Sequence, residues 1–207
     1  DSGTPEILGE QRLKQCLVTA GCRETMSSSL SSLLEQSVFV GQVADLVTLD
    51  NPISEDLTVL RAHLVPGLLG TVAHNLNHGQ TSLRLFEVGR CFAGPLTDNG
   101  VTEHWSVAIA LTGSQRGDHW KDVSTPVDFY DLKGIVEHIT KQMIWPKWQW
   151  NTGKSPGIDE AATALIRNNV DPGIPEGWAG RISADTAQTF DIDVEVWVAE
   201  LNVDRLI

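Results

Sequence analysis

His74 and His78 stand four residues apart in the stretch HNLNH. On a helix that spacing turns both imidazoles to one side and suits a zinc ion. The metalloprotease form of the pattern needs a glutamate directly after the first histidine, and Asn75 holds that place. An exposed polar helix face is the better account of the pair. His63, His104, His119 and His138 have no partner at ligand spacing. The serine run SSSLSS (27–32) lacks the glycine-flanked setting of a nucleophile and reads as a strand edge or a helix cap. Glycine loops of the Walker or Rossmann kind are absent, and the carboxylates are too scattered to divide acid and base roles.

Two features remain. RLFEVGRCFAGP (84–95) has the cast of an active-site strand and turn, but no charged residue follows Phe92. Trp145, Trp148 and Trp150, from a total of seven tryptophans, form a patch that could stack bases or fill a core or an interface. The charge balance favours the second use. There are 15 Lys+Arg against 27 Asp+Glu, a net charge of −12 with no basic run, which argues against autonomous nucleic-acid binding. Cys16, Cys22 and Cys91 cannot all pair and form no CxxC, so reduced thiols and a cytosolic setting are expected. No apolar run is long enough to span a membrane, and the opening DSGTPEILGE has no signal-peptide character.

The elements that must hold these residues are visible as periodicity. Leu13, Cys16, Leu17 and Ala20 make one face of a helix over 9–20, stopped by Gly21. A second helix is expected over 66–78, with Pro66 in its first turn and Gly79 at its end. A third covers 126–143, with a capping box formed by Thr125 and Asp128. Period-two alternation marks WSVAIALT (105–112), with Trp105, Val107, Ile109 and Leu111 on one face, and VEVWVAEL (194–201), with Val194, Val196 and Val198. ADLVTL, LRLFEVG, KWQW and ATALIR are shorter strand candidates, and loops are expected at 93–100, 112–125 and 168–177. Without regular βαβ alternation, the class is α+β with a mixed, mostly antiparallel sheet flanked by helices. A turn near 151–160 hints at a boundary between subdomains.

Residues 51–92 carry a longer signal. Asn51-Pro52-Ile53-Ser54, Leu60-Arg61-Ala62-His63-Leu64 and Leu85-Phe86-Glu87-Val88-Gly89-Arg90 follow one another at compatible spacing, and His119-Trp120 and VDFYDLKGIVE (127–137) add two further blocks. Together they resemble the beta subunit of bacterial phenylalanyl-tRNA synthetase, in the domain that copies the class II synthetase catalytic fold without its activity. The resemblance runs from about Leu8 to the end. It implies a single class II synthetase-like domain over 1–207, as a fragment of a larger subunit.

In active class II enzymes a motif 2 arginine binds the ATP phosphate and the substrate carboxylate, a task its forked donors suit. Here Ala93 stands in that place, and Arg90, three positions earlier, falls on the opposite face of a strand. At the motif 3-like stretch ELNVDRLI, Glu200 and Asn202 replace glycines, while Arg205 matches the motif arginine. Arg61, Glu87, Arg90, Ala93, Glu200, Asn202 and Arg205 therefore read as degenerate motif positions, with no catalytic residue and no metal ligand. The resemblance further implies a structural role beside a catalytic alpha subunit in a two-alpha, two-beta assembly. ATP, magnesium and tRNA would be engaged only through that parent complex, in the cytoplasm. The helix bearing Leu13, Cys16, Leu17 and Ala20 is expected to meet the partner. An autonomous ATP-dependent ligase and an RNA-binding module are the alternatives, opposed by Ala93, Glu200 and Asn202 and by the net charge respectively.

Overall fold

The computed structural model describes residues 5–52, 54, 56–97, 100–115, 125–167 and 176–204, with backbone only at 5, 6 and 95–97. His119, Trp120, Arg205, Ile53 and most of the loops expected at 112–125 and 168–177 lie outside the described residues. Five helices occur among them: α1 (Pro5–Thr19), α2 (Leu33–Ser37), α3 (Val65–Asn77), α4 (Phe129–Gln142) and α5 (Ala184–Thr189). The strands are β1 (Arg23–Glu24), β2 (Leu30–Ser31), β3 (Val59–Leu60), β4 (Leu83–Thr97), β5 (Gly100–Thr112), β6 (Gln149–Thr152), β7 (Ile158–Arg167), β8 (Gly177–Ile182) and β9 (Val196–Asn202).

Seven strands form one sheet in the order β1-β4-β5-β9-β8-β7-β6, while β2 and β3 pair separately. Only β1–β4 is parallel, and every other pair is antiparallel, so the sheet is mixed and mostly antiparallel as the sequence indicates. The turn at 151–160 joins β6 to β7 within this sheet. Residues 93–97, expected as loop, extend β4, with a register shift between Ala93 and Thr97. ADLVTL is not a strand. A 3₁₀ turn spans Val43–Asp45, and only Thr48 makes a bridge, to Val59.

Both faces of the sheet are covered, because alternate residues of each strand point to opposite sides. Val107, Ile109 and Leu111 of β5 join Phe86, Leu132, Val136 and Ile139 in a core that also takes in Leu13 and Leu17. Ala108 and Ala110 lie on the other face, in a core with Leu68, Leu69 and Val72 of α3. Small side chains there let a helix approach the strand closely. Trp145 and Trp148 belong to the first core, so the tryptophan patch is largely interior.

The face of α1 expected to meet a partner is instead spent on this domain. Leu13 and Leu17 are fully buried, and Cys16 and Ala20 pack partly buried against the same core. An amphipathic stripe gives one signal for both uses, and burying each leucine stabilises the fold by about 1.5–3 kcal/mol. The outward apolar residues of α1 are Ile7, Leu8 and Val18, each roughly half exposed. At α4 the capping box is also displaced. Asp128 Oδ1 accepts from Tyr130 N–H at 2.7 Å and Asp131 N–H at 3.1 Å, while Asp128 N–H donates to Asp131 at 2.9 Å. Pro126 and Val127 cannot join the helix because they bridge back to Ser114 and Gly113. No helix among the described residues is long and apolar enough to cross a membrane.

Candidate functional site

Arg61, Glu87 and Glu200 meet on the α3 side of the sheet. Arg61 precedes α3, and its side chain lies across β4. Its Nε donates to the Arg90 carbonyl at 2.9 Å, and its Nη1 reaches Glu87 Oε1 at 2.5 Å and Ser27 Oγ at 3.1 Å. Ser27 completes the ring, giving its N–H to Glu87 Oε1 at 3.2 Å and its hydroxyl to Oε2 at 2.8 Å. The Arg61 and Glu87 side chains are almost fully buried. A charge this deep is tolerable only when paired and hydrogen-bonded, and here the guanidinium, the Ser27 hydroxyl and a backbone N–H all meet the carboxylate.

Two glycines make that network fit. A Cβ on Gly89 would stand 2.4 Å from Arg61 Nη2, and one on Gly67 would stand 2.4 Å from Ser27 Oγ. The turn leading to α3 is held by Gln36, which is buried. Its Oε1 accepts from the N–H groups of Ala62 and His63, both at 3.0 Å, and its Nε2 donates to Ser31 Oγ and the His63 carbonyl. Ser27, Gln36 and Gly67 went unrecognised in the sequence. A buried glutamine that serves backbone groups has no pattern to distinguish it from a surface one.

Glu200 lies on β9, on the same face. The N-cap residue of α3, Leu64, has no side-chain cap of its own. The Glu200 carboxylate supplies one from across the sheet. Leu64 N–H is 3.1 Å from Oε2, Val65 N–H is 3.2 Å from the same oxygen, and His63 Nδ1 is 3.2 Å from Oε1. Free N–H groups and the helix dipole make such an end a natural anion site, and the chain fills it with its own carboxylate. Burial works against a charged His63, but the Glu200 charge and hydrogen bond outweigh it and hold this imidazole above its ordinary pKa. Burial and then Glu200 push the Cys91 thiol well above its usual value, so it is no nucleophile. Burial lowers His104, with Glu200 partly offsetting it.

The remaining motif positions do not converge. Arg90 points away, 3.0 Å from Glu103 and with its guanidinium 5.0 Å above the Trp105 ring. Ala93 pairs with Thr102 on the hairpin and brings no charge. Asn202, exposed at the end of β9, accepts the Asp204 N–H at 3.0 Å. A polar cavity of about 200 Å³ beside Arg61 is lined by Ser31, Glu35, Gln36 and Asp56 among others. Burial and Asp56 raise the Glu35 pKa. Arg61 and His63 also line it, but both are already paired, with Glu87 and Glu200, so they leave no free cation for a triphosphate beside Glu35 and Asp56. No cluster of metal-ligating side chains occurs among the described residues. His74 and His78 sit exposed with rings 4.2 Å apart, His78 Nδ1 being satisfied by the His74 carbonyl.

Comparisons with known proteins show the family and the fold. Residues 2–203 match the family model described as the phenylalanyl tRNA synthetase beta chain CLM domain. A phenylalanine–tRNA ligase beta subunit of Salinibacter ruber is 32% identical over 98% of this chain and 26% of its own length. One of Pasteurella multocida is 39% identical over 92% of this chain and 24% of its own. The chain thus spans about a quarter of these relatives. Among solved structures, Desulfitobacterium hafniense PylSc, a pyrrolysyl tRNA synthetase, superposes with a TM-score of 0.73 at 13% identity, over 98% of this chain and 65% of that one. That likeness carries the class II synthetase fold.

Proposed function

The chain belongs to the phenylalanyl-tRNA synthetase beta chain family, as a CLM domain, and from that premise we propose that it is a scaffold, not a catalyst. It keeps the class II fold to pair with a catalytic alpha subunit in the cytoplasm. ATP, magnesium and tRNA are handled by the assembled enzyme. One observation carries this reading: the buried Glu200 carboxylate occupies the N-terminus of α3, on the face where the family resemblance puts a nucleotide cleft. A bound triphosphate would meet that charge at close range, and Ala93 offers no compensating guanidinium. The autonomous-ligase reading requires both positions to be otherwise.

Phosphate exchange with phenylalanine and ATP tests the scaffold reading directly. The 207-residue chain is expected to stay at background, and exchange that Arg205→Ala abolishes would overturn the proposal. The partner face is placed on the outward side of α1. Val18→Asp is expected to leave the domain folded and to lose co-purification with an alpha subunit. Leu17→Asp should unfold it, because that side chain is in the core. Retained association in folded Val18→Asp would move the interface elsewhere.

A further inference from the structure

Beyond the cleft, the end of α4 and the rim of the sheet enclose a groove of about 610 Å³. Lys141, Ile144, Lys147, Trp148 and Trp150 line it, together with Glu137. One wall is β6, an outermost strand of the seven, paired among the described residues with β7 on one side only. Its outer edge can accept a further strand.

Ile144 is the first pointer to a ligand. Helix α4 closes with Trp145 N–H on the Thr140 carbonyl and Ile144 N–H on the Lys141 carbonyl, and it turns through a left-handed residue. After α1 the same left-handed position is taken by Gly21, with φ +86°. After α4 it is taken by Ile144, with φ +60° and a β-branched side chain that this region disfavours. Ile144 is 81% exposed, so its side chain adds almost nothing to the core of this domain. The strained residue thus lies exposed at the groove and not in the core.

Charge is the second pointer. Lys141 and Lys147 are exposed, and neither has a carboxylate partner among the described residues. Glu137 is engaged with Lys133 at 3.6 Å, and that ammonium also stands 5.5 Å over the Trp150 ring. The rim is therefore locally positive on a chain of net charge −12.

We propose that this groove and the β6 edge receive an extended acidic segment of a partner protein. The segment adds a strand to β6, sets an apolar side chain against Ile144 and Trp150, and turns carboxylates to Lys141 and Lys147. A single-stranded nucleic acid fits less well. Trp145 and Trp148 are only 8% and 9% exposed and offer no open ring face, and two unpaired lysines are few for a phosphate backbone. A second copy of this chain would bring a further net charge of −12 and the same lysines to its own edge.

The test is to follow the tryptophan indole N–H signals of the 207-residue chain by NMR. The probes are a seven-residue peptide alternating aspartate and valine, its lysine–valine counterpart, and oligouridylate. The acidic peptide is expected to shift the Trp148 and Trp150 signals saturably, and the basic one to leave them in place. Lys141→Glu with Lys147→Glu should weaken the acidic peptide by about tenfold or more. Ile144→Gly should also weaken it while raising the melting temperature, a combination that a purely structural role for Ile144 would not give. Still signals at millimolar acidic peptide, equal response to the basic peptide, or unchanged affinity in the double reversal would overturn the proposal. A stronger shift with oligouridylate would assign the groove to nucleic acid. A concentration-dependent dimer reported by these same signals would assign it to a second copy.

Discussion

Glu87 and Glu200 are both buried carboxylates on one face of one sheet, separated only by β5, yet they are held by different means. Glu87 is neutralised by a guanidinium, in a ring closed by Ser27. Glu200 is met mainly by backbone N–H groups at a helix end and by one histidine. The first arrangement depends on side chains the family motifs specify. The second depends on the position of a helix, so it ties β9 to α3 without needing a full positive charge. The same fold thus retains one carboxylate as part of its motif network and uses another to close the place where an anion would bind.

Removing a partner at each site sharpens the contrast. Arg61→Met leaves Glu87 buried and uncompensated, and chemical denaturation should show a loss of about 3–5 kcal/mol. A loss under about 1 kcal/mol would mean the pair behaves as a surface bridge. Glu200→Ala strips the cap from α3 and is expected to cost about 2–3 kcal/mol, with amide exchange quickening first at Leu64 and Val65. Exchange unchanged at those two amides would mean that Glu200 does not cap α3. Gly89→Ala tests the space that the arginine network needs. Its Cβ would press on a guanidinium already pinned by hydrogen bonds, so a cost of about 1–3 kcal/mol is expected, and it should vanish in the Arg61→Met background.

The smallest effect is pH-dependent and belongs to Glu200 alone. His63 has a raised folded-state pKa, so its contribution is fully present below the ordinary histidine value and is lost as pH rises through the raised one. His104, lowered by burial, acts with the opposite sign, stabilising at higher pH and losing that contribution on acidification. The comparison is therefore between the unaltered chain and His63→Gln across pH 6–8. The stability advantage of the unaltered chain should shrink as pH rises, and Glu200→Gln should flatten the difference. A difference that grows with pH would remove His63 from the network.

Much of the fold was legible because its signals are local. The α3 helix announced itself through Leu68, Leu69 and Val72 between Pro66 and Gly79, and β5 through Val107, Ile109 and Leu111. What stayed hidden depends on residues far apart in the chain. Nothing local marks Glu200 as the cap of a helix that starts 135 residues earlier, at Val65, or Ser27 as a partner of Glu87. The motif positions stood out in the sequence as survivors of a lost active site. Arg61 and Glu87 turn out to be joined by what a glycine at 89 permits, a closeness that exists only in the folded chain. The stripe on α1 is legible, but its pattern alone does not say what covers it, since a core and a partner ask the same of a helix face, and here Leu13 and Leu17 are buried in the domain itself.

The position of β9 has a consequence for how this domain is made. It lies between β5 and β8, so among the described strands the first half of the sheet and the β8-β7-β6 half are hydrogen-bonded to each other only through β9, which follows both in sequence. During synthesis both halves emerge before the strand that unites them. Until residues 196–202 insert, β5 and β8 are open edges and α3 lacks its cap. Closure of the sheet and completion of the helix end are then a single event, made of contacts distant in sequence and correspondingly slow. A nascent chain stalled just short of Glu200 would present two unsatisfied sheet edges to whatever binds them first.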